Sequence, residues 1–235
     1  SYRNLVILKL QTAVPLLAWL RTLPAGRLSL ADHERAAGAV ESWVLRRMIL
    51  GANTRGYNAA FLGVLKSAQA AARTPEANIA DAVVAALAVS PNSLAWPSDD
   101  EIRSAFTQDR FYGRFTQERI RLILGAIDAQ MRVNNPKTEP AVFDYAQLQI
   151  EHLMPQRWEP HWPLPASVGE DPAQRELATS ERSAAVDQIG NLTLVTSAFN
   201  QGVSNLGWDQ KRPELAAQST LQLNLPIATT EHWDE

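Results

Sequence analysis

The chain contains no cysteine. That removes disulfides, thiolate metal sites and a cysteine nucleophile from its chemistry, and it fits a reducing, cytoplasmic setting. Long apolar runs are also missing. The most apolar early stretch, Leu5 to Leu20, is broken by Lys9, Gln11 and Pro15 and has no signal-peptide cleavage pattern, so neither a membrane span nor a leader is expected there. No glycine-rich phosphate loop and no repeat of fixed period is present. Histidine is scarce: His33, His152, His161 and His232 are all there are, which leaves little material for a zinc site. The first residue is Ser1 rather than methionine, and a processed product or a fragment of a larger protein is the expectation.

What remains is 235 residues, 46% hydrophobic and 20% charged, enough for one large globular domain or two modest ones. The first 135 or so residues read as successive helices. Ser29 with Asp32 forms a capping box ahead of a three-to-four-residue apolar period through Ala36, Val40, Trp43 and Val44. Thr74-Pro75-Glu76 reads as a second helix start, with the helix ending before Pro91. Ser98 and Thr116 head two more. The polar segment Val133 to Pro140, with two prolines, reads as a linker. Beyond it come strand-like runs, Tyr145 to Leu153 and Leu192 to Thr196, separated by a long irregular piece containing Pro160, Pro163, Pro165 and Pro172. The expected fold class is mainly α with a small α+β part: a helical domain over 1–140 and a second domain over 141–235.

The total charge of −3 hides a split: residues 1–140 carry a net +5 and residues 141–235 a net −8. Arg110, Arg114, Arg119 and Arg121 cluster with Phe111, Tyr112 and Phe115 between them. Such a cluster is either a solvated face over core aromatics or a surface that tracks phosphates.

The informative motif is Gln149-Ile150-Glu151-His152-Leu153-Met154-Pro155-Gln156, followed by Ile189-Gly190-Asn191-Leu192-Thr193-Leu194, then Asn200 and Ser204-Asn205. In this order the pieces resemble the ββα-metal (HNH, or His-Me finger) nucleases. The likeness is to the C-terminal nuclease region of GmrSD-type restriction endonucleases, SspE-like defence nucleases included, and it covers about Ile150 to Lys211. Weaker likeness extends upstream through Glu41-Ser42-Trp43, Arg46-Arg47 and Tyr57-Asn58.

The resemblance implies a prokaryotic defence nuclease that nicks foreign DNA, phage or modified DNA included, with Mg²⁺ (Mn²⁺ being the alternative). It also implies a nucleotide-dependent N-terminal sensor domain, missing from this chain, as a partner. Phosphodiester hydrolysis needs a base for the water and a cation for the developing charge. His152 is the candidate base, since imidazole is neutral near pH 7. By resemblance Asn191 holds the histidine loop, Glu151 and Asn200 are metal ligands, and Asn205 competes with Asn200 or joins Lys211 in touching substrate. Oxygen donors of this kind suit a hard cation. Because neighbours on a strand face opposite ways, Glu151 and His152 serve one site only if the strand twists or ends there. Asp209 and Lys211 also spell the Asp-x-Lys of another nuclease class, but Pro213 and a helical context argue against it. Trp158, Trp162 and Trp208 read as core. The alternatives are a catalytically degenerate nucleic-acid-binding module and a helical regulatory module.

Overall fold

The computed structural model describes residues 2–89, 91–139, 141–203 and 206–233. The chain divides into two compact units, Ser1–Ala105 and Phe106–Glu235. The division falls well before the polar segment at 133–140, where composition changes.

The first unit is helical: α1 (Tyr2–Ile7), α2 (Val14–Thr22), α3 (Leu30–Ile49), α4 (Tyr57–Ala72) and α5 (Ile79–Ala88), with α6 (Asp99–Gln108) crossing the boundary. Side-chain caps start α3, α5 and α6. Ser29 accepts from the Asp32 amide at the head of α3, and Ser98 and Glu101 form a reciprocal box on α6; each satisfies amides that the helix leaves open. The reading of Thr74-Pro75-Glu76 as a helix start is corrected. Those residues form a turn, and Asn78 caps α5 by accepting from the Ala80 and Asp81 amides. An Asn side chain that reaches two amides competes well with a single hydroxyl. In this unit's core Phe61 meets Trp43 and Tyr57 edge to face, and the Trp43 and Tyr57 rings pack tilted to each other. The buried Arg47 guanidinium lies over Trp43 and donates to the Tyr57 hydroxyl and to the Asn53, Ser93 and Ala95 carbonyls. These contacts give the Trp43, Arg47 and Tyr57 pattern a structural job.

The second unit is built on a two-stranded antiparallel sheet, β1 (Gln149–His152) and β2 (Leu192–Val195), in which Glu151 faces Thr193 and His152 faces Leu192. β1 is shorter than the run read from sequence, because Asp144 accepts from the Ala146 amide and folds Tyr145–Gln147 into a 3-10 turn. Helix α7 (Gln117–Asn134) packs against both strands. It lets Tyr145 in closely at Gly125, where a Cβ would lie 2.7 Å from the ring. The fully buried Asp128 of α7 accepts from the Tyr145 hydroxyl at 2.8 Å and from the Leu223 amide at 2.9 Å. Burial and the Asp128 carboxylate together push the Tyr145 phenol up to about 12.

The connection between the strands is irregular only in its first part. From Pro172 to Val186 it forms α8, opened by Asp171 as N-cap with proline at the first position, a signal that the run of prolines concealed. Arg182 of α8 donates to the Trp162 and Pro163 carbonyls and lies over Trp158, which holds the irregular part down. After β2 come α9 (Ser197–Val203), α10 (Trp208–Gln218) and α11 (Asn224–Thr229). Trp158, Trp162 and Trp208 are core residues, packed with Leu153, Met154, Phe199 and Leu215. The protein is thus mainly α with one small antiparallel sheet. No helix among the described residues is long and apolar enough to cross a membrane.

Candidate active site

His152 is the last residue of β1, and the backbone just beyond it is held by one side chain. The Asn191 carboxamide oxygen accepts from the Met154 amide at 2.8 Å, and its nitrogen donates to the Met154 carbonyl at 2.8 Å and the Val186 carbonyl at 2.9 Å. The Trp233 indole N–H donates to the same oxygen at 3.1 Å. All four hydrogen-bonding positions of the amide are used, as a buried amide requires. The Asn191 carbonyl also accepts from the Leu153 amide. The strand therefore ends at His152 because Asn191 takes over as the pairing partner for residues 153 and 154.

Around the imidazole the structure gathers residues that are distant in sequence. His152 Nε2 lies 3.4 Å from Asp187 Oδ1, and the Tyr112 ring meets the imidazole edge on, with centroids 4.5 Å apart. The other Asp187 oxygen accepts from Arg110. The Asp187 carbonyl accepts from the Phe111 and Tyr112 amides at 2.7 and 3.0 Å. Burial pushes the His152 imidazole below its ordinary value; the Asp187 carboxylate opposes this, and the Lys211 cation adds to it.

Glu151 points elsewhere, as the alternation of a strand demands. Its Oε1 accepts from Lys211 Nζ at 2.6 Å, and the same ammonium donates to the His152 carbonyl at 2.6 Å. Lys211 is 1% exposed, so it braces β1 from α10 and does not present its charge to a phosphate, the role that the family resemblance implied. Burial pulls both partners toward neutrality, raising Glu151 and lowering Lys211, while the ion pair opposes each shift. Asp209 and Lys211 sit in the helix α10 rather than on a strand.

Asn200 is half-buried on α9, a helix that packs against β1. Asn205 lies outside the described residues. Arg110 is exposed beside Asp187, and Arg114 pairs with Asp109 at 2.6 Å and lies over Phe115. Arg119 and Arg121 are half-buried on α7. Phe111 is fully buried and packs on Phe106 and Phe115, whereas Tyr112 and Phe115 are half-buried. All four arginines lie in the same compact unit as His152.

Among the described residues no group of three or more His, Asp or Glu is placed to hold a metal ion. Glu151, the carboxylate that the resemblance implies as a ligand, is buried and engaged by Lys211, and Asn200 is a half-buried amide on α9. Oxygen donors of this kind suit a hard cation such as Mg²⁺.

Asp187 and Trp233 were missed in the sequence. Asp187 caps the end of α8, a helix hidden in what read as an irregular segment. Trp233 carries no local signal. Residues 96–235 match the family model described as GmrSD restriction endonucleases, C-terminal domain. No curated protein and no solved structure gives a significant match.

Proposed function

This chain belongs to the family of C-terminal domains of GmrSD restriction endonucleases, and from that premise we propose that it is a metal-dependent DNA endonuclease of the ββα-metal (HNH) type. Its family makes it a nuclease domain of restriction type. The finer reading is that it nicks foreign DNA in prokaryotic defence and works with a nucleotide-dependent sensor domain. The observation that carries the chemistry is the nearly buried His152 at the end of β1, with the adjoining loop stapled by Asn191.

Neutral His152 accepts a proton from water as the water oxygen bonds to phosphorus. The P–O bond to the sugar breaks, and the leaving oxygen takes a proton from solvent. Burial favours the neutral imidazole that this step needs. Arg110, exposed beside the site, holds a phosphate oxygen. The resemblance gives Glu151 and Asn200 as ligands of Mg²⁺ or Mn²⁺. A cation would reach Glu151 only in place of the Lys211 ammonium with which the carboxylate pairs, and when bound it would stabilise charge on the phosphate and the leaving oxygen. Lys211 keeps β1 in place through Glu151 and the His152 carbonyl.

The test is conversion of supercoiled plasmid to open circles by the purified chain with Mg²⁺ or Mn²⁺. The activity is expected to vanish in EDTA and in His152→Ala. Plasmid left supercoiled by micromolar wild-type protein with either metal refutes the proposal.

A further inference from the structure

We propose that Asp187 is a positioning residue that ties the catalytic base to a phosphate clamp, one carboxylate oxygen holding His152 Nε2 and the other holding Arg110. The proposal rests on the nuclease reading of His152 given above. It names a residue outside the motif that suggested that reading.

Three features of the fold converge on it. The Asp187 main chain is fastened independently of its side chain, because its carbonyl accepts from both the Phe111 and Tyr112 amides, and Arg110 pairs with Gln188 in an isolated antiparallel bridge. The carboxylate is therefore delivered to a set position. Next, the exposures of the three side chains are graded. Those of Asp187 and His152 are each 11% exposed, whereas that of Arg110 is 65% exposed. The carboxylate thus joins an inner imidazole to an outer guanidinium. Finally, the loop that supplies Arg110 also supplies Tyr112, whose ring packs against the imidazole and limits its rotation.

The chemical consequence comes from what each group can donate. An ionised carboxylate only accepts hydrogen bonds, so the nitrogen facing Asp187 carries the ring proton. Nδ1 is left with the lone pair that takes the proton from water, because the tautomer is set by the bond that the other nitrogen makes. Arg110 has five N–H groups in a rigid fork. Its bond to Asp187 uses one edge of that fork, and the exposed remainder suits phosphate oxygens of the DNA backbone. One carboxylate thus sets both the reacting nitrogen and the location of the phosphate relative to it.

The experiment uses the full chain and the variants Asp187→Ala, Asp187→Asn and Asp187→Glu, with folding checked by circular dichroism and tryptophan fluorescence. Plasmid nicking is measured at saturating metal. Asp187→Ala and Asp187→Asn are expected to lower kcat by about 100-fold or more, the scale of misplacing a general base, with KM for plasmid changed less than about threefold. Asp187→Glu is expected to recover part of the loss. Arg110→Ala is expected to act mainly on KM.

A second readout needs no nicking. In ¹⁵N spectra of metal-free protein with labelled histidine, the His152 signals, identified by their loss in His152→Gln, are expected to report the Nε2–H tautomer. In Asp187→Ala they are expected to shift toward the mixture of a free imidazole. Folded Asp187→Ala or Asp187→Asn that nicks at the wild-type rate, or an unchanged His152 tautomer in Asp187→Ala, overturns the proposal. If wild-type protein fails to nick, the nuclease reading falls, and the tautomer still decides whether Asp187 orients His152.

Discussion

Lys211 and Glu151 form an ion pair inside the second unit, with Nζ 2.6 Å from Oε1 and side chains 2% and 5% exposed. The same ammonium donates to the carbonyl of His152, so the pair bears directly on the position of the strand that carries His152. Breaking a buried pair leaves the other charge unpaired, whereas replacing both by apolar groups is often neutral. Lys211→Met is therefore expected to cost about 3–5 kcal/mol. Lys211→Met combined with Glu151→Leu is expected to regain most of the stability while remaining inactive. Urea unfolding checks this, and a loss below about 1 kcal/mol in the single variant counts against the pair.

Asn191 satisfies three backbone groups and one indole. In Asn191→Ala the Met154 amide and carbonyl and the Val186 carbonyl lose their side-chain partner, at a cost of about 1–3 kcal/mol for each buried group left unmet. Asn191→Asp is the sharper variant, since a carboxylate cannot donate to the Met154 and Val186 carbonyls. Both are expected to lose nicking, and Trp233→Phe to lower stability by about 1 kcal/mol. Thermal melts and the plasmid assay give the answer; an Asn191→Asp protein with wild-type Tm and rate would show that the staple is dispensable.

The pH dependence is set by the depressed His152 value. In the unfolded chain the imidazole titrates near 6.5, and in the folded protein it does so lower. As pH falls through 6.5 the unfolded state takes up a proton that the folded state resists, so stability declines toward acid, by at most about 1.4 kcal/mol per pH unit. Above 6.5 both states are neutral and this contribution is complete. The nicking rate is expected to hold down to pH 6.5 and to fall only below it. His152→Gln is expected to flatten the stability profile between pH 5 and 7, which denaturant titrations at several pH values measure. An acid limb of the rate centred above 6.5 contradicts the depressed value.

The arginines of the second unit supply a test of DNA contact. A lysine or arginine that neutralises one phosphate contributes about −0.9 to the slope of log affinity against log salt. Arg110→Ala, Arg119→Ala and Arg121→Ala are each expected to shallow that slope by about this amount. Arg114→Ala is expected to do less than Arg110→Ala: both guanidiniums pair with a carboxylate, but the Arg114 side chain is 34% exposed against 65% for Arg110. Fluorescence anisotropy with a short duplex from 50 to 200 mM salt distinguishes them, and an unchanged slope in all four variants assigns the cluster to a solvated face.

The sequence alone determined whatever depends on neighbours a few residues apart. The Ser29 and Ser98 caps and the ends of the apolar helices are local patterns, because a cap acts on amides two or three residues away; the order from Glu151-His152 to Asn191 and Asn200 is legible only as a family resemblance of short motifs. Even among local patterns, Asn78 and not Thr74 caps α5, and the Asp171-Pro172 opening of α8 is masked by the prolines around it. Tertiary structure decided the rest. Asp187 lies 35 residues from His152 and 77 from Arg110, and Lys211 lies 60 from Glu151. Contacts at such separations are set by how elements pack, and nothing in one sequence couples the positions. The same packing divides the chain into two compact units after Ala105. It put the four arginines in one unit with the histidine, turned Lys211 from a surface charge into a buried brace, and gave an acid at the end of α8 its place beside the imidazole.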